Sequence, residues 1–145
     1  MSNSISSSVD TQQRRQRLAE ATYYQRWYHR YFFGARARCR RASAPGYDIG
    51  GTRRGWGWIG EVKVGYPDVA DNLVLVKALD QCRRIVMAKG LAGRARLFAV
   101  YLPSERKAHP DTALVLYETE DGTLGQMEAR EFRMYLEAEG VVRLD

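Results

Sequence analysis

A glycine- and arginine-rich run between two short apolar segments constrains the fold of this chain more than any other feature. The sequence reads Tyr47-Asp48-Ile49, then Gly50-Gly51-Thr52-Arg53-Arg54-Gly55, then Trp56-Gly57-Trp58-Ile59-Gly60-Glu61-Val62-Lys63. Glycine tolerates the positive φ angles of tight reversals, so the central run predicts a turn between two antiparallel strands. Because alternate side chains of a strand share a face, Glu61 and Lys63 are predicted to project together, with Asp48 converging on them from the other strand.

Two carboxylates and an ammonium on one face are the parts of a hydrolytic site that uses a hard divalent cation. In order and spacing, these residues resemble the PD-(D/E)XK nuclease superfamily, which includes restriction endonucleases and Holliday-junction resolvases. Asp48 matches the motif aspartate, Glu61 the acidic residue and Lys63 the lysine, whereas Tyr47 stands where the motif has proline. The resemblance implies that both carboxylates and the carbonyl of Val62 bind Mg²⁺, or Mn²⁺ in its place. It also implies that the lysine orients a water molecule or balances charge on phosphate.

The resemblance spans about residues 18–102 and suggests two more members of the site. In several branches of the superfamily an acidic residue of the first helix completes the metal site, and Glu20 is the candidate here. Many relatives place a glutamine on the helix that follows the lysine strand, where it faces the site, and Gln81 is that candidate. Each residue also fits a structural role, since Glu20 suits an ion pair with a helix arginine and Gln81 suits an exposed surface position.

Two further observations bear on how far the Glu61-Val62-Lys63 match can be taken as a catalytic motif. A second acid-x-Lys match, Glu105-Arg106-Lys107, lies between Pro103 and Pro110 in a predicted loop without a hairpin partner, so we do not assign it to the site. The first match also fits a purely structural role, as a half-buried hairpin whose charged side chains are solvated at its edge.

Positive charge is concentrated at the start of the chain. Residues 1–46 carry nine arginines, no lysine and two acidic residues, a net charge of +7, against −1 for the other residues. Such a segment favours a polyanionic partner, here DNA, although a solvated helix, or a basic adaptor for RNA or for an acidic protein, is the alternative. The arginines predicted to hold phosphates are Arg36, Arg38, Arg40, Arg53 and Arg54.

The remaining pattern predicts one domain over residues 11–145, after a disordered start at residues 1–10. Helices are predicted at residues 11–33, from Asp68 or Asp71 to about Lys89, and at 126–139, and strands at 35–41, 96–102, 112–117 and 141–144, besides the two of the hairpin. The main order is α-β-β-β-α-β-β-α, an α/β (α+β) fold with a mixed sheet flanked by helices and a restriction-endonuclease-like core. A helix between the lysine strand and the next strand implies that these two strands are parallel.

Together these features predict a metal-dependent DNA endonuclease of the kind that phages and mobile elements encode, acting as a homodimer or larger assembly. The alternative is a non-catalytic protein on the same scaffold that serves phage assembly, packages DNA or blocks a host complex. Aromatic side chains crowd residues 23–33, which indicates core packing with a dimer contact, or base stacking. No apolar run reaches the length of a membrane span and residues 1–10 lack the apolar core of a secretory signal, so a cytoplasmic protein, or one within a phage particle, is expected.

Overall fold

The computed structural model describes residues 3–38, 49–53 and 56–145, which form an α+β fold of three α-helices and one five-stranded mixed sheet. The elements are α1 (Asn3–Phe33), β1 (Ile49–Arg53), β2 (Trp56–Val64), α2 (Asp71–Ala88), β3 (Ala95–Leu102), β4 (Leu114–Glu118), β5 (Leu124–Glu128) and α3 (Ala129–Ala138). Two short 3-10 turns, Ser104–Arg106 and Pro110–Thr112, connect β3 to β4. The predicted fold class, a mixed sheet flanked by helices, is confirmed.

The strands follow one another across the sheet in the order β1-β2-β3-β4-β5. Strands β1 and β2 form the predicted antiparallel hairpin, and β2 and β3 form the predicted parallel pair, with α2 as the crossover between them. The reversal is tighter than predicted, since Arg53 pairs with Trp56 and Gly50 to Arg53 therefore belong to β1. Gly50 and Gly51 thus belong to an extended strand.

Each face of the sheet is covered by different helices. On one face, Trp58, Val62, Phe98 and Val100 pack with Tyr28 and Phe32 of α1 and with Phe132 of α3. On the other face, Ile59, Leu97 and Ala99 pack with Leu75, Leu79 and Cys82 of α2. Because side chains alternate along β2, the odd-numbered residues Glu61 and Lys63 lie on the α2 face.

The predicted strand at residues 35–41 is wrong where the structure describes it. Residues 35–38 form a turn after α1, in which Gly34 has a φ of 102° and accepts a hydrogen bond from the Ala37 N–H at 3.2 Å. The predicted terminal strand at 141–144 does not form either, although Leu144 bonds to the main chain of both Phe33 and Arg36. Alternating small and basic residues satisfy the strand pattern, but a strand also needs a hydrogen-bonded neighbour.

Both ends of the chain also hold different elements from those predicted. Residues 3–10, predicted to be disordered, are the first turns of α1, since nothing in them stops a helix whose propagation adds one hydrogen bond per residue. Residues 124–128, partly predicted as helix, form β5 beside β4, and α3 begins at Ala129 behind a capping box made by Glu128 and Glu131. The observed order is α-β-β-α-β-β-β-α.

The apolar pattern of the second helix predicts a buried side of Val69, Leu73, Val76, Leu79 and Val86, and the observed buried side of α2 is rotated from it. Leu79 and Val86 are buried as predicted and Val69 is partly buried ahead of the helix, whereas Leu73 and Val76 are 45% and 46% exposed. The buried residues of α2 are Val74, Leu75, Ala78, Leu79, Cys82 and Val86. All four residues from 73 to 76 are apolar, so the sequence pattern could not show which of them lie on the buried side of α2.

The buried histidine of α1 makes folding sensitive to pH. His29 is 1% exposed, and burial lowers its pKa from 6.5 to about 4, an effect that the Ala37 backbone only partly opposes. Between these pH values the unfolded chain binds more protons at His29 than the folded one. The free energy of unfolding is therefore expected to fall by about 3 kcal/mol as the pH drops from 6.5 to 4. Urea unfolding of the wild type and of His29→Phe is measured across this pH window. The contribution of His29 is the difference between the two slopes of unfolding free energy against pH. Equal slopes for the wild type and His29→Phe would contradict the assignment.

Candidate functional site

A cavity of about 520 Å³ lies where α1, the end of β2 and α2 meet. Its lining residues are Arg17, Glu20, Ala21, Gln25, Glu61, Val62, Lys63, Val64, Gly65, Tyr66, Pro67 and Gln81. Five of the residues predicted from the sequence are among them, namely Glu20, Glu61, Val62, Lys63 and Gln81. These five come from three separate elements, so it is the tertiary fold that gathers them around one cavity.

Glu61 and Lys63 of β2 both line the cavity. Glu61 is 1% exposed, and its Oε2 lies 3.9 Å from the Nζ of Lys63, whose side chain is 26% exposed. Burying a carboxylate is costly unless nearby charge offsets it, and the ammonium provides such charge. At 3.9 Å the contact is electrostatic rather than a hydrogen bond, so Lys63 keeps N–H donors for a ligand in the cavity.

The loop after β2 is fixed in place by β3. The N–H of Tyr66 donates to the Tyr101 hydroxyl at 3.0 Å, and the same hydroxyl donates to the Tyr66 carbonyl at 3.2 Å. Gly65 has a φ of 63° and donates its N–H to the carbonyl of Leu102 at 3.0 Å. A left-handed φ suits glycine because it has no Cβ, and this turn directs the loop over the cavity.

Glu20 is held at the cavity by a residue distant in sequence. Both of its carboxylate oxygens accept hydrogen bonds from the Lys107 Nζ at 2.9 Å. This partner is not the helix arginine that the sequence suggested. Lys107 belongs to the second acid-x-Lys match, which does lie in a connection between strands, as predicted, yet its lysine bonds a residue that lines the cavity. The side chains of Glu20 and Lys107 are 41% and 33% exposed, so solvent screens this pair.

Two glutamines complete the polar lining. Gln81 is half-buried on α2 and lines the cavity. Gln25 is 1% exposed on α1 and was missed by the sequence analysis. Its signal was a lone amide inside an aromatic helix, five residues after Glu20, but a single polar residue does not show which way it points until the helix is packed.

Of the remaining predicted residues, Asp48, Arg40 and Arg54 lie outside the described part, and Arg36 and Arg38 do not line the cavity. Arg36 and Arg38 are exposed in the turn after α1, and Arg53 ends β1 opposite Trp56, at the far end of β2 from Glu61.

A basic groove that the sequence analysis missed joins the cavity. It has a volume of about 780 Å³ and shares Lys63, Tyr66 and Gln81 with the cavity, while α2 adds Lys77, Asp80, Arg83 and Arg84. Arg83 forms an ion pair with Asp80 at 3.0 Å, whereas the exposed Lys77 and Arg84 make no ion pair among the described residues. Their spacing of seven residues, two helical turns, places both on one side of α2 and was visible in the sequence.

The oxygen donors of the cavity suit a hard cation. The described residues hold no group of three or more histidine, cysteine or acidic side chains placed to bind a metal ion. Mg²⁺ does not require one, since it retains several water molecules and takes one or two carboxylates together with substrate phosphate. The Glu61 carboxylate, the Glu20 carboxylate and the two amide oxygens fit that preference, with Asp48 as the further carboxylate that the sequence supplies.

Comparisons of this chain with protein-family models, with curated proteins and with solved structures return no match. Among its described helices, none has a long enough apolar stretch to cross a membrane.

Proposed function

We propose that this protein is a metal-dependent nuclease of the PD-(D/E)XK type that hydrolyses phosphodiester bonds in DNA. The observation that carries the proposal is the convergence of Glu20, Glu61, Lys63 and Gln81 on one cavity. These residues were selected by motif order and by the roles of equivalent residues in that superfamily, and they lie on α1, β2 and α2. A hairpin with merely solvated charges would leave Glu61 exposed, whereas this carboxylate is 1% exposed.

Each side chain has a role in hydrolysis. Mg²⁺ bound by Asp48, Glu61 and the Val62 carbonyl would supply polarisation of a phosphate oxygen and a water molecule of lowered pKa. The Lys63 ammonium, held beside Glu61, donates to the attacking water or to the oxygens on which negative charge develops. Gln81 donates from its amide to phosphate, and Lys107 keeps the Glu20 carboxylate at the rim of the cavity.

The basic groove supplies a path for the DNA backbone. Lys77 and Arg84 lie on the exposed side of α2, and the groove runs from them to Lys63 inside the cavity. Contacts of this kind fix the position of a phosphate chain without reading its sequence. The proposed activity is therefore cleavage that is either non-specific or selective for DNA structure.

Incubation of the purified protein with plasmid, linear duplex, single-stranded and branched DNA tests the proposal. Cleavage of at least one substrate is expected with Mg²⁺ or Mn²⁺ and none with EDTA, because the reaction needs the polarising cation. Products are resolved on denaturing gels, and Glu137→Gln, which alters an exposed glutamate of α3, should cleave like the wild type. Absence of cleavage on every substrate by a preparation with normal circular dichroism would contradict the proposal and favour the non-catalytic alternative.

A further inference from the structure

A second and larger groove runs along a different side of α1. We call it the α1 groove; its volume is about 990 Å³, and it is lined by the arginines Arg15, Arg26 and Arg30 and by the aromatic residues Tyr23, Trp27 and Tyr31. Arg17, Glu20 and Gln25, which α1 contributes to the candidate site, do not line it. The α1 groove and the cavity of the candidate site therefore take different residues of α1.

The aromatic residues of the α1 groove form a row along the helix. Tyr23, Trp27 and Tyr31 are spaced by four residues, which corresponds to about 6 Å of helix rise per step. Trp27 and Tyr31 stack with ring centroids 4.8 Å apart and an interplanar angle of 20°. Tyr23 is 61% exposed although it contacts Tyr24 at a centroid distance of 5.0 Å. A large ring that is held in place yet exposed provides a platform for a flat partner.

The arginines of the α1 groove are available to a ligand. Arg15, Arg26 and Arg30 are exposed, and none of them makes an ion pair within the residues that the structure describes. The acidic residue that lines the groove, Asp145, is paired with Arg143 at 3.3 Å. The groove therefore combines a row of cations with a row of rings.

We infer that the α1 groove binds single-stranded nucleic acid, with phosphates on the arginines and an unpaired base on the exposed ring of Tyr23. A positive groove that follows the backbone, together with aromatic side chains for successive bases, is the usual construction of single-strand sites. A duplex satisfies only the arginines, because its bases are already paired and stacked. The arginines also disfavour a second copy of this chain as the partner. A two-fold contact through this groove would place the arginines of one copy next to the same arginines of the other, and like charges repel.

Fluorescence anisotropy with labelled oligothymidine, oligouridine and a duplex tests this inference. The measurements are made in EDTA, so the outcome does not depend on whether the candidate site cleaves DNA. A single strand is expected to bind more tightly than the duplex, and comparison of the two oligonucleotides shows whether DNA or RNA is preferred. Tyr23→Ala is expected to weaken single-strand binding roughly 5- to 100-fold, the effect of losing one stacked base. Arg26→Ala should make the fall of log affinity with log salt concentration less steep, by about 0.7.

Matched variants separate stacking and phosphate contact from general effects. Tyr23→Phe keeps the ring and should bind like the wild type, and Arg94→Ala removes an exposed arginine that does not line the groove and should keep the salt slope. Wild-type affinity in Tyr23→Ala, or equal affinity for duplex and single strand, would overturn the inference. So would a dimer in sedimentation that Tyr23→Ala dissociates while nucleic-acid binding stays unchanged.

Discussion

Replacing Lys63 with alanine is expected to slow DNA cleavage by about 10²- to 10³-fold, the cost of removing one preorganised donor from a developing anion. The structure supports this size of effect because the ammonium lies beside the buried Glu61 and lines the cavity. Single-turnover cleavage at saturating protein separates the chemical step from binding. The rate constant should fall, and the concentration for half-maximal rate should change much less.

Two lysine variants make this experiment specific. Lys89→Ala removes a lysine just after α2, outside both the cavity and the basic groove, and should cleave at the wild-type rate. Lys63→Arg keeps the charge but changes its shape and hydration, and an intermediate rate is expected. If Lys63→Ala cleaves as fast as Lys89→Ala, the lysine has no part in the chemistry and the motif assignment fails.

Local chemistry made part of the fold predictable from the sequence. The hairpin followed from glycines between two apolar runs, and the parallel pairing of β2 with β3 followed from the helix between them. The strand expected at 35–41 failed because strand formation depends on a partner, and the described part of that segment instead turns beside Leu144. Alternation along one segment carries no information about what lies next to it.

Part of the candidate site was also predictable from the sequence. The period of two along β2 placed Glu61 and Lys63 on one face, and the resemblance directed attention to Glu20 and Gln81. The partner of Glu20 was not predictable, because Lys107 lies 87 residues away and reaches it only through the packing of α1 against the connection after β3. The basic groove was missed for a related reason: the arginine-rich start of the chain dominated the charge pattern, while two cations on α2 meet the cavity only in the folded protein.

The position of Glu61 depends on its neighbour Gly60, and Gly60→Ala is expected to destabilise the protein by about 1–3 kcal/mol. In the parallel register Gly60 lies opposite Phe98, and a Cβ at Gly60 would come closer than 3.0 Å to atoms of that ring. Phe98 cannot move away easily, since it is fully buried and packs against Phe32 and Phe132 at centroid distances of 5.9 and 5.2 Å. Urea unfolding measures the loss, and a displaced β2 should lower the cleavage rate below the temperature of unfolding as well.

A double-mutant cycle identifies the cause of that loss. Phe98→Leu alone should destabilise the protein because it leaves a cavity, but combined with Gly60→Ala it opens space for the new methyl group. The double variant should therefore be more stable than the sum of the single effects predicts, as is typical of residues in contact. Gly122→Ala controls for backbone strain, since its φ is 87° and no atom lies within 4 Å of its Cβ position. Additive effects of Gly60→Ala and Phe98→Leu would show that the ring does not exclude a side chain at Gly60, and that Glu61 is positioned by other contacts.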